Sequence, residues 1–195
     1  VTSTDVTWPR RTERLLLRPY LDADADRLVQ IRNQPDVWRW LMKTRVDPTE
    51  LVAGWEKSVT DPHDHSAVIE LDGTVIGWVN LEVEDGMGQD RTEASQRVEA
   101  LLGYVIDPAY AGRGFAGEAA AEMVAVAFEE VGVRRVTAGC FADNTPSWRI
   151  MESLGMRREQ HGVEDSWHSE LGWVDGYTYG ILQREWHERD WRTTA

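Results

Sequence analysis

One cysteine, Cys140, stands in 195 residues. No disulfide can form within the chain, which fits a reducing cytoplasm. Lysine is nearly as scarce, with only Lys43 and Lys57. Basic residues number 21 against 34 acidic ones, for a formal net charge of −13. That balance argues against nucleic-acid partners, whose binding runs on clustered Lys and Arg. It suits either solubility alone or a cationic acceptor drawn by long-range attraction. No apolar run approaches the roughly 20 residues of a membrane helix. The opening V-T-S-T-D-V-T-W-P-R-R has no apolar signal core. The expected setting is the cytoplasm, with no membrane partner.

What is present has the composition of a globular chain: 42% hydrophobic and 28% charged residues. We read residues 1–195 as one domain, with its core over about 12–186 and a short tail at 187–195. Residues 12–20 predict a first strand ended by Pro19, and Asp22 is placed to cap a helix through about Arg32. Residues 37–42 are rich in aromatics. Asp47-Pro48 opens a second helix to about Val59. Residues 61–65, D-P-H-D-H, read as a polar loop. Residues 66–71 and 75–83 predict a hairpin around Asp72-Gly73, and residues 85–96 a mobile loop. Strand 97–106 then feeds a glycine-rich turn, helix 118–130 ends at Gly132, and strand 134–141 follows. Strand, helix, strand at this length implies a right-handed crossover and parallel pairing. Thr145 is placed to cap a further helix, with Pro146 at its first position and Gly155 past its end. Residues 156–166 and 177–186 close the sheet as two late strands.

The chain is organised around residues 110–117, Y-A-G-R-G-F-A-G. A glycine-rich turn between strand and helix leaves backbone N–H groups open at the positive end of the helix dipole, a seat for a phosphate or pyrophosphate. Gly112 and Gly114 admit close approach, and Arg113 adds a fixed charge. A Walker A loop is excluded because no Gly-Lys-Ser/Thr follows. The dinucleotide pattern G-x-G-x-x-G is met literally by Gly112, Gly114 and Gly117. The strand–helix alternation that pattern needs does not follow it. The third phosphate loop that fits is Q/R-x-x-G-x-G/A, with Gly114 and Ala116 in its last two fixed places and Ala111 departing from the first.

With the flanking motifs the chain resembles the GNAT superfamily of acyl-CoA N-acyltransferases, closest to the branch that acetylates ribosomal-protein N-termini. The motifs are T-x-R-L-x-L-R-P at residues 12–19, the G-Y-x-I-D-P-x-Y-x-G-x-G-F-A-x-E-A core at 103–119, N-x-x-S at 144–147, Leu154-Gly155-Met156, and Glu185-Trp186. The resemblance implies an α/β (α+β) fold: a mixed sheet of six to seven strands, splayed between the fourth and fifth, with about four flanking helices. It implies acetyl-CoA as acyl donor and direct transfer to an amine in a ternary complex. By resemblance, the backbone of Tyr104, Val105 and Ile106 pairs with the pantetheine arm. Gly112, Arg113, Gly114, Phe115, Ala116 and Gly117 cradle the pyrophosphate, Asn144 bonds the pantetheine, and Ser147 sits beside the thioester sulfur.

The chemistry narrows these roles. An oxyanion needs a donor, which a backbone N–H near Tyr104 or Val105 could supply. The leaving thiolate needs a proton, which Ser147 could give. The competing reading of Asn144 and Ser147 is helix capping. Many relatives carry Glu where this chain has Leu101, so the base is open: Glu82, Glu84 and above all Glu99 lie on neighbouring strands, and Glu164, Asp165 and Glu170 lie later. His63-Asp64-His65 makes no metal site by itself, and no metal is expected. Cys140 reads as a small core residue. Trp38, Trp40 and Trp55 either wall an acceptor groove or fill the core. The acceptor is expected to be a peptide N-terminus or a small cationic amine such as an aminoglycoside or polyamine, and a homodimer is admitted. A non-catalytic CoA-binding module and a dinucleotide-binding protein are the rival readings.

Overall fold

The computed structural model describes residues 6–90 and 92–188. Of the expected tail at 187–195, His187 and Glu188 close a last helix, and residues 189–195 lie outside the described ones. Eight strands form one sheet in the order β1-β2-β3-β4-β5-β6-β8-β7. They are β1 Arg10–Arg11, β2 Leu16–Arg18, β3 Ala67–Leu71, β4 Thr74–Glu84, β5 Glu99–Ile106, β6 Arg135–Phe141, β7 Arg157–His168 and β8 Gly172–Leu182. The helices are α1 Ala25–Arg32, α2 Pro35–Trp38, α3 Pro48–Thr60, α4 Phe115–Val126, α5 Thr145–Ser153 and α6 Gln183–Glu188. Eight strands replace the expected six or seven partly because the first is broken. Thr12 donates its N–H to the Leu15 carbonyl at 3.0 Å, a turn that splits it into β1 and β2.

Among the strand pairs, only β5 and β6 run parallel. A doubly wound dinucleotide fold needs a mostly parallel sheet, so that rival reading falls. The parallel pair is also short: Glu99, Ala100 and Leu101 face Arg135, Val136 and Thr137, and pairing then stops. Beyond Leu101 the two strands part, as the family resemblance implies.

The sheet carries a different core on each face. On one, α4 and α5 pack Phe115, Met123, Val124 and Met151 against Leu81, Leu102 and Val136. On the other, α1 to α3 pack Leu28, Ile31, Val37 and Trp55 against Val68, Trp78 and Val105. Alternation along β5 assigns Leu102, Tyr104 and Ile106 to the first face and Leu101 and Val105 to the second.

Local departures from the sequence reading have local causes. Asp24, not Asp22, organises the start of α1: its carboxylate accepts the Leu21 N–H at 2.9 Å and pairs with Arg18 at 2.7 Å. Asp47 does cap α3, accepting from the Thr49 N–H at 2.8 Å. The D-P-H-D-H stretch is less loop-like than expected. His65 donates to the Leu81 carbonyl and the His63 carbonyl accepts from Val83, so the stretch runs along β4 and buries His65. The hairpin at Asp72-Gly73 has φ of 49° and 79°, as its two-residue turn requires. The loop between β4 and β5, apart from residue 91, which lies outside the described residues, is tied at its base, where Gly86 donates to the Ser95 carbonyl and Arg97 to the Asp85 carboxylate. The last strand starts at Gly172 rather than 177, because β7 and β8 make one long hairpin. Trp186 sits on α6, not on a strand, and packs on Phe128 with ring centroids 6.1 Å apart.

Candidate active site

Strand β5 is followed directly by Asp107, which fixes the next turn. Its carboxylate accepts the Ala109 N–H at 3.0 Å and the Gln34 amide at 3.2 Å, and it pairs with Arg27 of α1. Asp107 is 4% exposed. Burial works to raise its pKa, but these three donors together hold it below the ordinary carboxylate value. The chain then passes through Gly112 at φ 72° and Gly114 at φ 82°. Gly114 in this left-handed conformation starts α4 at Phe115, three residues earlier than the alanine pattern suggested. The glycine loop and the helix N-terminus are therefore one unit.

An arginine from the first hairpin braces that unit. Arg14 Nη1 donates to the Arg113 carbonyl at 2.9 Å, and its Nε to Glu118 Oε2 at 2.6 Å. The Arg14 N–H and the Thr12 hydroxyl both donate to Glu118 Oε1. Burial favours a neutral Glu118, yet the Thr12 and Arg14 bonds win and depress its pKa. A carboxylate in the first turn beside an anion seat would repel the anion; Arg14 offsets that charge. The Arg14 and Arg113 guanidinium groups also lie over the Phe115 ring, at 4.6 and 4.8 Å from its centroid.

A cavity of about 1220 Å³ fills the space where β5 and β6 part. Every residue expected at the acyl-donor site lines it except Arg113, whose side chain stacks on Phe115 instead. Gly112, Gly114, Ala116 and Gly117 line it from the loop and the start of α4, and Tyr104, Asn144 and Ser147 from β5 and the start of α5. Pairing with β6 has stopped by Tyr104, so its backbone on that side is open. The Asp107 N–H donates to Ile76 on β4, and strand alternation then turns the Tyr104 N–H into the gap and the Val105 peptide toward β4. Gly77 fits that geometry, since a Cβ there would meet the Val105 carbonyl oxygen at 2.0 Å. Of the two candidate backbone donors, Tyr104 is the one that faces the cleft.

Helix α5 starts at Thr145, and no side chain caps it. Capping therefore does not account for Asn144 or Ser147. The Tyr104 hydroxyl donates to the Ser147 carbonyl at 2.8 Å and lies 3.3 Å from Ser147 Oγ. Burial pushes the Tyr104 phenol up, so it stays protonated. Cys140 lines the cleft beside Ser147, and burial raises its thiol pKa despite the Ser147 hydroxyl and the Arg158 charge. A thiol shifted that way is a poor nucleophile.

Glu99 requires correction. Its carboxylate is held by Arg134 at 2.6 Å and Arg135 at 3.3 Å at the start of β5, and it does not line the cleft. Two fixed cations outside the gap occupy it. Glu84 lies opposite Glu99 in the same register, and Glu170 pairs with Arg39 at 3.0 Å. Glu82 lies directly across from Leu101 on β4, and burial raises its pKa, helped by Asp64, Glu84 and Asp61. Asp165 lines the cleft. The tryptophans divide: Trp40 lines the cavity, Trp55 is core and stacks on Tyr20, and Trp38 does neither. No cluster of three or more metal-binding side chains occurs among the described residues. No helix among them is long and apolar enough to cross a membrane.

Sequence reasoning missed Arg149, which adds a cation to the cleft lining, and the brace at Arg14. Arg149 had a usable signal, two places after Ser147 on a helix facing the gap. Arg14 had none, because its partner Glu118 lies 104 positions away.

A cleft passing through a sheet at a parted parallel pair, with a phosphate-fitting helix start on one face and an apolar chamber on the other, is the architecture of an acyl-transferring enzyme. Residues 14–157 match the family model described as an acetyltransferase (GNAT) domain, and the chain belongs to the GNAT acetyltransferase family. It is 37% identical to the uncharacterized N-acetyltransferase YnaD of Bacillus subtilis (strain 168), over 44% of this chain and half the length of that one. It is 25% identical over 183 residues to the provisionally named ribosomal N-acetyltransferase YdaF of the same organism, covering 89% of this chain and 94% of that one. A GNAT acetyltransferase structure from Bacillus anthracis superposes with a TM-score of 0.74 at 26% identity, covering 90% and 98% of the two chains. A spermidine N-acetyltransferase from Vibrio cholerae, solved with CoA and spermine, superposes at 0.75 with 18% identity over 90% and 99%, a likeness of fold alone. The chain is an N-acetyltransferase, and the non-catalytic reading is set aside.

Proposed function

We propose that this chain transfers an acetyl group from acetyl-CoA to the α-amine of a peptide or protein. The observation that carries the reading is the cleft itself, which joins a bare-backbone anion seat to an acceptor wall that has Leu101 where a base would stand. The residues present fit the donor. Gly112 and Gly117 have no heavy atom within 4 Å of an added Cβ, so the space over the helix start is open. Arg149 lines the same cavity. When bound, acetyl-CoA supplies an activated acetyl thioester. The Gly112–Gly117 backbone binds the pyrophosphate, and Asn144, with no capping duty, is free to orient the pantetheine. The Tyr104 N–H offers a hydrogen bond to a carbonyl oxygen in the gap. Ser147 Oγ, 3.3 Å from the Tyr104 hydroxyl, holds a proton beside the place expected for the sulfur.

The acceptor reading follows from the apolar residue at position 101. An α-amino group has an unperturbed pKa of about 7.7–8.0 and lysine about 10.4. The gap of roughly 2.5 units makes the neutral amine about 3.5 kcal/mol easier to reach at neutral pH for an N-terminus. A site with Leu101 in place of a carboxylate is matched to the α-amine. The name of YdaF points the same way. A small polyamine is the second reading, favoured by the net charge of −13 and by the fold shared with a spermidine acetyltransferase.

The test is a steady-state comparison of short peptides with a free N-terminus against the same peptides blocked there and carrying only lysine, with spermidine alongside. A higher kcat/KM for free N-termini is expected. Equal rates on both peptides, or activity confined to spermidine, would overturn the α-amine reading and leave acetyl transfer standing.

A further inference from the structure

The acceptor half of the cleft is walled largely by apolar and aromatic side chains. Val37, Trp40 and Leu41 come from α2 and the turn after it, Leu101 and Val105 from β5, and Phe141 from the end of β6. All six line the cavity, on the α1–α3 face of the sheet or at the gap. Val37 and Val105 belong to the core on that face. Phe141 alternates with Cys140, which packs against the other core, and its ring lies 5.1 Å from His168. With the acyl donor seated at the start of α4, as proposed above, this chamber is the side of the cleft left for the amine.

These walls are held in place. The Trp40 ring lies 5.4 Å from that of His168 and under the Arg39 guanidinium at 5.2 Å, and Arg39 is in turn anchored by Glu170. His168 is 1% exposed, with Nδ1 accepting the N–H groups of Glu170 and Leu171. A tryptophan braced on both sides does not fold away to make room for a polar chain. Leu101, by contrast, is 40% exposed, a large hydrophobe presented to the cleft rather than buried in the core. The carboxylates on the cavity wall are Asp36 and Asp165, and neither is in an ion pair with a described residue. The chamber thus offers negative charge for an ammonium and apolar surface for whatever adjoins it. A polyamine would leave that apolar surface uncovered.

Resting on the α-amine reading above, we propose that this enzyme selects acceptors whose amine is flanked by a large apolar group: peptides whose first residue is leucine, isoleucine, methionine or phenylalanine. Leu101, Trp40 and Phe141 are the specificity-determining residues. Each methylene buried against them favours the larger side chain, and hydrophobic pockets of this kind discriminate by roughly 10- to 200-fold.

The test uses four peptides identical after their first residue, which is Gly, Ser, Leu or Phe, with phenethylamine and spermidine as non-peptide amines. The Leu and Phe peptides should exceed the Gly peptide in kcat/KM by roughly tenfold or more. Trp40→Ala and, separately, Leu101→Ser should shrink that ratio toward one, with thermal melting as the check on folding. Leu101→Ser, at a half-exposed position, keeps the experiment open should Trp40→Ala not fold. Equal kcat/KM across the four peptides, preference for Gly or Ser, or variants that slow all four peptides alike would overturn the proposal. Acetylation of phenethylamine but of no peptide would remove the α-amine reading while supporting the apolar chamber. Preference for spermidine over every other amine would remove both.

Discussion

The two ends of the cleft are built on opposite plans. The donor end comes from two short stretches, residues 103–117 and 144–149, and works through backbone groups, glycine conformations and fixed positive charge. The acceptor end gathers segments near residues 36–42, 101–105, 141 and 165–167 and works through apolar side chains. Recognition by backbone constrains which residues can stand at a position, because only glycine takes the φ of 82° at Gly114 without strain. Recognition by an apolar wall constrains only size and shape. The donor end therefore leaves a motif and the acceptor end does not.

Substitutions at the two ends should separate accordingly. The largest effect short of losing the donor belongs to the junction between them. Ser147→Ala should lower turnover by roughly 10²-fold or less with little change in affinity for acetyl-CoA. Its melting temperature should barely move, since the hydroxyl caps nothing. Tyr104→Phe, which keeps the backbone N–H but releases Ser147, should cost about tenfold in kcat, the worth of one hydrogen bond. A Ser147→Ala enzyme that is destabilised but fully active would return Ser147 to a structural role.

A smaller effect is expected at the donor end alone. Arg14→Met frees the Arg113 carbonyl and leaves Glu118 uncompensated, so KM for acetyl-CoA should rise roughly three- to tenfold while kcat and the acceptor KM stay put. An equal rise in acceptor KM would erase the distinction between the ends.

The smallest effect is on stability. Asp107 has its pKa depressed in the folded state, so its contribution is complete above the unfolded carboxylate range, near pH 4, and is lost as pH falls through the folded value. Asp107→Asn should cost about 1 kcal/mol at neutral pH and flatten the acid limb of a melting-temperature profile. An unchanged acid limb would show that the Arg27–Asp107–Gln34 clamp does not hold the turn.

This asymmetry also governs how much was readable beforehand. The glycine loop and the parallel crossover were legible because Gly112, Gly114 and the alanine-rich helix follow a strand at fixed spacings, whereas the parting of the strands came only as what the family resemblance implies. Capping was misread at Asp22 and Thr145, since several neighbouring residues had the right chemistry and only the turn geometry chose between them. Glu99 was misassigned because a strand position does not reveal which end of the gap it occupies, nor that Arg134 and Arg135 would claim it. The Arg14–Glu118 brace and the Trp40–His168 contact join residues more than a hundred positions apart, and neither side carries a local mark of its partner.

The central claim is that the donor is held by bare backbone at the start of α4, and Gly117 tests it most directly. Gly117 sits inside the helix, lines the cleft and has open space where a side chain would project, so Gly117→Leu should fill the seat without straining the fold. Leucine is also the better helix former, by somewhat less than about 1 kcal/mol. Calorimetric titration should show saturable binding of acetyl-CoA to the wild-type chain and none to Gly117→Leu, whose melting temperature is equal or higher. Undiminished acetyl-CoA affinity in a folded Gly117→Leu variant would contradict the account.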